Sequence, residues 1–275
     1  VILVSGATGN VGGELVRVLV AAGVPVRALT RNAESALPDG AERAVGDLDR
    51  PDGLDTALAG VDGVFLMSGY RDMPGLLAAV RDAGVRRVVQ LSGSSAASGD
   101  LSNAVTKYMV ESETAVRESG VDWTILRPFA FMTNTLQWAD QIRAGDVVRA
   151  EFGGVHQAVI DPGDIAAVAA LALREPGHAG RTYTLTGPES VLPADRVRIL
   201  GEVLGRDLTF DGLSDDEARA RMTAAMPEKY VDAFFDFYVA GSLDESPVLP
   251  TVPDLLGRPA RTFREWAVEN ADRFR

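Results

Sequence analysis

Residues 4–12 read Val4-Ser5-Gly6-Ala7-Thr8-Gly9-Asn10-Val11-Gly12 and directly follow the apolar residues Val1, Ile2 and Leu3. Beyond them Val11, Leu15, Val18, Leu19 and Ala22 recur at helical spacing, which predicts an amphipathic helix ending at Gly23. The order is therefore strand, glycine-rich turn, helix, with the glycines spaced G-x-x-G-x-x-G. Gly6 permits the tight turn, Gly9 lets backbone approach an anion with no Cβ between them, and Gly12 allows the helix to pack closely on the strand. The helix N-terminus then faces the negative charge. In this context the whole turn, including Ala7, Thr8, Asn10 and Val11, is a candidate site for a dinucleotide pyrophosphate.

The rhythm set by this unit continues along the chain. Strands are expected at 1–4, 25–29, 43–46, 63–67, 86–91, 122–126, 156–160 and 182–186. Several are apolar at consecutive positions, as strands are when both sheet faces are covered. Helices are expected at 72–83, 103–119 and 164–174, the last with Asp164 capping its first turn. Alternating strands and helices give an α/β fold with a doubly wound parallel sheet. After Arg127-Pro128 the pattern loosens into an aromatic segment, Phe129 to Trp138. After Gly187-Pro188 it becomes mostly helical with proline breaks, and Phe234, Phe235, Phe237 and Tyr238 lie close together. Residues 1–127 with 155–186 thus read as the dinucleotide-binding core. Residues 128–154 with 187–275 read as a smaller, mostly helical C-terminal substrate lobe continuous with it.

Composition removes whole classes of function. The 275 residues carry 27 Lys and Arg against 39 Asp and Glu, a net charge of −12, so nucleic-acid backbones and anionic membranes are repelled overall. A few arginines or backbone N–H groups can still form a locally positive pocket. With no cysteine there is no disulfide, thiol catalysis or Cys-ligated metal. His156 and His178 lie 22 positions apart with no acidic run beside them, so no metal site is expected. No signal segment and no apolar run of about 18 residues is present, and a cytoplasmic location is the expectation. Oligomeric state is not legible.

Selectivity between nicotinamide cofactors depends on the end of the second strand, where an acid bonds a ribose 2′-hydroxyl and a base accepts a 2′-phosphate. Here the segment is Thr30-Arg31-Asn32. Arg31 offers a permanently charged fork, Thr30 and Asn32 can add hydrogen bonds, and no acid stands at the turn, so NADP(H) is favoured over NAD(H). Farther on, Asp47 can bond an adenine amino group or cap a turn, and Leu48 can cover the ring. Met67 and Ser68 end the fourth strand, where small residues let a ribose pass.

These segments occur together with Trp123-Thr124-Ile125-Leu126-Arg127-Pro128, Phe131-Met132-x-Asn134, Asp161-Pro162-Gly163-Asp164-Ile165-Ala166, Leu185-Thr186-Gly187-Pro188-Glu189 and a closing Gly257-Arg258-Pro259-x-Arg261-Thr262-Phe263-x-Glu265-Trp266. In that order they resemble the NmrA-like group of atypical short-chain dehydrogenases/reductases over nearly the whole chain. The resemblance implies a Rossmann-type core holding NADP(H) and a substrate cleft against the smaller lobe. The group is similar to isoflavone reductases and NADPH-dependent quinone reductases, and it also includes nucleotide-sensing regulators without catalysis. Fold therefore does not settle function.

The usual short-chain dehydrogenase pair, a tyrosine with a lysine one helical turn later, is absent. The residue four before Lys107 is Asn103, and Tyr108 is turned about 100° away around the helix. Lys107 matches the lysine of isoflavone-reductase-like proteins and is the candidate catalytic residue. It can bond the nicotinamide ribose or donate a proton if buried, or simply pair with Glu111 on a solvated face. Ser92, with Pro128 and Phe129, is placed on the cofactor side. Ser94, Phe131, Met132 and Trp138 are placed on the substrate side, with Phe129 and Phe152 as further aromatic wall, although such residues equally build a lobe's core. The expected chemistry is hydride transfer from NADPH to a planar or aromatic small molecule, such as a quinone or conjugated carbonyl. A non-catalytic NADP(H)-sensing regulator, or a reductase or epimerase for one biosynthetic intermediate, are the alternatives.

Overall fold

The computed structural model describes residues 1–50 and 54–275. Strands β1 (Ile2–Val4), β2 (Val26–Thr30), β3 (Glu42–Val45), β4 (Gly63–Met67), β5 (Arg87–Leu91), β6 (Asp122–Pro128) and β8 (Arg181–Leu185) form one seven-stranded sheet in the order β3-β2-β1-β4-β5-β6-β8. All neighbours from β3 to β6 pair in parallel. The chain leaves β1 toward β2 and β3, then returns to β4 on the other side of β1. That reversal opens a crevice at the carboxyl ends of β1 and β4, the place where doubly wound sheets bind ligands.

Two compact units are formed, one from Val1–Gly99, Thr106–Pro128 and Pro162–Thr184, the other from Asp100–Val105, Phe129–Asp161 and Leu185–Arg275. In the first, Val64, Phe65 and Leu66 of β4 are fully buried, as their unbroken apolar run requires. Helix α1 (Asn10–Ala21) buries Val11, Leu15, Val16 and Leu19, whereas Val18 is half-buried and Ala22 lies exposed beyond the helix end. The buried arc is turned toward Val16 because α1 packs on α6 (Pro162–Arg174) as well as on the sheet.

Three sequence expectations are corrected. Residues 156–160 form no strand. Gln157 donates to Val191, Ala158 to Glu245 and Ile160 to Ala130, so successive backbone groups go to different partners and only isolated bridges result. Helix α6 starts at Pro162, where a proline's fixed φ suits the first helical position, and this puts Asp164 inside the first turn instead of at the cap. The mostly helical second unit also holds a two-stranded parallel sheet, β7 (Val147–Ala150) with β9 (Thr209–Gly212). The sequence of β9, Thr-Phe-Asp-Gly, ends in two strand-averse residues and gives little sign of it. The core of this unit joins Ile142 of α5 (Ala139–Ala144), Leu200 of α7 (Pro193–Leu204), and Phe263 and Trp266 of α11 (Phe263–Glu269).

One buried charge ties the first unit together near the carboxyl ends of β5 and β6. Glu113, on helix α4 (Ala104–Glu118), is fully buried. Its Oε1 accepts from Ser92 at 2.6 Å and from Nε of Arg127 at 2.8 Å, and its Oε2 accepts from Arg127 at 2.6 Å and Arg117 at 2.7 Å. Burial alone would raise this carboxyl's pKa, but the donors outweigh it and hold the group below the ordinary glutamate value. A depressed folded pKa contributes stability that is complete above the unfolded value and lost as pH falls through the folded one. Glu113→Gln is therefore expected to cost about 3 kcal/mol at neutral pH, by removing the buried counter-charge of the partly exposed Arg127 and Arg117. Melting curves against pH should show the variant losing less stability than the parent on acidification below the glutamate range.

Candidate functional site

The crevice of the first unit is a cleft of about 430 Å³. Of the residues expected at the cofactor, it brings together Gly6, Thr8, Thr30, Arg31, Asn32, Asp47, Leu48, Met67 and Ser68. Gly6 has φ +60° and Gly9 donates back to its carbonyl at 2.8 Å, which closes the turn. A Cβ on Gly12 would stand 2.2 Å from the Gly6 oxygen, so α1 can start this close to β1 only with glycine there. Ala7 is buried in the turn, and Asn10 and Val11 open α1. No side chain caps α1, whose N-cap is Gly9. The cleft reaches Gly6 and Thr8, whereas Ala7, Gly9, Asn10, Val11 and Gly12 are not among its lining residues; the uncapped, glycine-lined helix start next to Gly6 fits a pyrophosphate.

The β2 turn is built by the polar residues beside Arg31. The Thr30 hydroxyl donates to the Asn32 carbonyl at 3.1 Å, and Asn32 Oδ1 accepts from the Glu34 N–H at 2.9 Å. Both side chains thus hold the loop, while Arg31 stands exposed and makes no ion pair with any described residue. Asp47 Oδ1 accepts from the Asp49 N–H at 3.1 Å, which closes a turn at the cleft wall. Leu48 is 5% exposed and belongs mainly to the core. Tyr70 also lines the cleft, its phenol pKa raised by burial. It follows Met67-Ser68-Gly69 at the end of β4, the one signal that pointed to it.

Other candidates lie elsewhere. The Ser92 hydroxyl is buried on Glu113. Ser94 begins a short 3-10 helix, Ser94–Ala97. Lys107 is exposed, with its Nζ 3.9 Å from Glu111, and does not line the cleft. Pro128 and Phe129 are buried at and just after the end of β6, with the Phe129 N–H donating to Leu185 at 2.9 Å.

The second unit holds its own cavity, of about 470 Å³. Trp138 and Phe152 line it, whereas Met132 is wholly buried in the core and Phe131 pairs through its backbone with Ile160. Phe152 has φ +56°, a strained value for a bulky side chain, and its ring meets Phe235 and Tyr238. Tyr238 donates to Glu245 at 3.1 Å and accepts from Gln157 at 3.1 Å, and burial first and then Glu245 raise its pKa. It holds its proton and is a poor acid.

Arg196, which sequence reasoning missed, also lines this cavity at 5% exposure. Burial lowers its pKa to about 10, against the pull of Tyr238 and Glu151, so it remains a cation at neutral pH. The signal was a charged residue one helical turn before the buried Leu200, on the apolar face of α7.

Comparison with known proteins agrees with the fold. The chain belongs to the NAD(P)H-binding family, matching it over residues 6–176. The (4-alkanoyl-5-oxo-2,5-dihydrofuran-3-yl)methyl phosphate reductase of Streptomyces griseus is 43% identical over 279 residues, covering 99% of each chain. The NAD(P)H azoreductase of Xenophilus azovorans is 37% identical over 283 residues, again covering 99% of each. Among solved structures, the NADPH-dependent quinone oxidoreductase of Escherichia coli complexed with NADPH aligns with a TM-score of 0.79 at 25% identity, covering 98% of this chain and 99% of that one.

The glycine turn gives a sharp contrast. Gly12→Ala drives a Cβ into the Gly6 carbonyl and should cost about 1–3 kcal/mol while abolishing cofactor binding. Gly13→Ala meets its nearest backbone atom at 3.4 Å and should change neither stability nor binding appreciably. Melting and cofactor titration of the two variants check this.

Proposed function

We propose that this protein is an NADPH-dependent reductase of the NmrA-like group that acts on a flat, conjugated small molecule of the quinone or enone type. The observation that carries the reading is the first-unit cleft, where Gly6 and Thr8 of the turn before the uncapped helix start stand together with an exposed Arg31 that has no ion pair to any described residue, and with no acid among residues 30–33. That set suits a pyrophosphate and a 2′-phosphate. The Streptomyces griseus and Xenophilus azovorans relatives, both reductases, support catalysis over sensing. When bound, the cofactor supplies the hydride. The chain's part is to hold and orient it: Gly6 to Gly12 at the pyrophosphate, Arg31 at the 2′-phosphate, Asp47 at the adenine.

Lys107, exposed with its Nζ 3.9 Å from Glu111, is assigned to the nicotinamide ribose by its match to the lysine of isoflavone-reductase-like proteins. With no tyrosine acid placed, the reading favours acceptors whose reduced oxygens need no strong proton donor, as in quinones. The aromatic cavity of Trp138, Phe152 and Tyr238 suits a planar body.

The direct test is acceptor-dependent NADPH oxidation across quinones, enones and azo compounds. Turnover that needs an acceptor supports the reading, and tight NADPH binding without turnover on any of them overturns it in favour of a sensor. Arg31→Asp is expected to weaken NADPH binding about 100-fold and leave NADH nearly unchanged, as loss of two charge-assisted hydrogen bonds requires. Equal losses for both cofactors contradict the assignment. Lys107→Ala should lower kcat about tenfold at an unchanged melting temperature.

A further inference from the structure

Arg196 is costly where it stands. Its guanidinium carries five N–H donors, yet among the described residues its hydrogen bonding is a single contact from Nη2 to Gln157 Oε1 at 3.5 Å, and its buried Nε has no partner there. It makes no ion pair with a described residue. It also lies in the first turn of α7, whose N-terminal dipole disfavours a cation. A buried cation short of acceptors at the positive end of a helix destabilises the fold, so its presence calls for a reason outside the fold.

The lining of the cavity supplies that reason. Trp138, with the guanidinium 5.1 Å from its ring centroid, has a buried indole N–H without an acceptor, and Thr133 has a buried hydroxyl without a partner. Among the described residues, two lining side chains thus hold unsatisfied donor-only groups and a third a hydroxyl that can donate or accept, against one unsatisfied carboxylate oxygen, Oε2 of Glu151. The excess of donors, with a cation among them, describes a pocket finished by an acceptor-rich group. Phe152, Phe234 and Tyr238 provide apolar walls beside it.

We propose that this cavity binds an oxyanionic group, a carboxylate, sulfonate or phosphate carried on a flat aromatic or conjugated body, and that Arg196 selects for it. That this ligand is the substrate rests on the reductase reading above; that the cavity binds such an anion does not. Glu151 opposes the anion and limits its affinity.

The test is isothermal titration calorimetry of the protein without cofactor. The probes are naphthalene-2-carboxylate, naphthalene-2-sulfonate and 2-naphthyl phosphate, with neutral naphthalene-2-sulfonamide as the control. At least one anion should bind more tightly than the sulfonamide, and the ranking shows which oxyanion the pocket fits. Arg196→Gln should weaken the anions about 10- to 100-fold and the sulfonamide by less than about threefold, with no fall in melting temperature. Arg196→Lys keeps the charge without the fork and should recover part of the loss. Glu151→Gln should tighten the anions, the opposite sign. The proposal is overturned if the wild-type protein does not prefer an anion, if Arg196→Gln weakens anion and sulfonamide alike, or if it lowers stability and Arg196→Lys restores stability but not selectivity. Because NADPH is absent from the titration, a protein that binds the anions through Arg196 but oxidises no NADPH would refute the reductase reading and leave this one standing.

Discussion

The approach of α1 to β1 is the constraint on which the cofactor end depends. At Gly12 there is 2.2 Å between the position of a Cβ and the Gly6 carbonyl, so backbone passes backbone with nothing interposed. That contact places the helix start, uncapped, at the carboxyl edge of the sheet and beside the point where strand order reverses from β1 to β4. The ends of β2, β3 and β4 then need only present side chains to a location already fixed by α1. Arg31, Asp47 and Met67 do so.

Electrostatics explains how an acidic chain provides for anions. The net charge of −12 is spread over the surface, while the sites that matter are set by a few oriented donors. In the proposed cofactor site these are backbone N–H groups and Arg31, which makes no ion pair with any described residue. The second unit has a buried arginine kept short of acceptors. Glu113 shows the contrary use of the same groups: its four donors satisfy it, and the result is a rigid anchor with no capacity left for a ligand.

Much of the first unit was legible because its signals are local. The G-x-x-G-x-x-G turn, the unbroken apolar run of β4 and the Thr-Arg-Asn ending of β2 each lie within a few residues. The second unit was harder. Residues 156–160 look like a strand because Ala158, Val159 and Ile160 are apolar, but their backbone groups bond to three separate segments. Met132 and Trp138 stand six positions apart in one aromatic stretch and both join the buried core, but only Trp138 also reaches the cavity wall. Arg196 and Arg198 are similar in sequence; one is buried beneath Trp138 and the other pairs with Glu202 at the surface. Such differences arise from contacts between distant segments, which no window of sequence contains.

The central claim is that the glycine turn and the β2 ending hold one cofactor together. Amide chemical-shift mapping of the isotope-labelled protein tests it most directly. NADPH should perturb the N–H groups of Gly6 to Gly12 and of Arg31 and Asn32 at the same saturation point, and NADH should perturb the first set with much smaller changes in the second. Shifts confined to other segments, or the same pattern at residues 30–32 with both cofactors, would contradict the account.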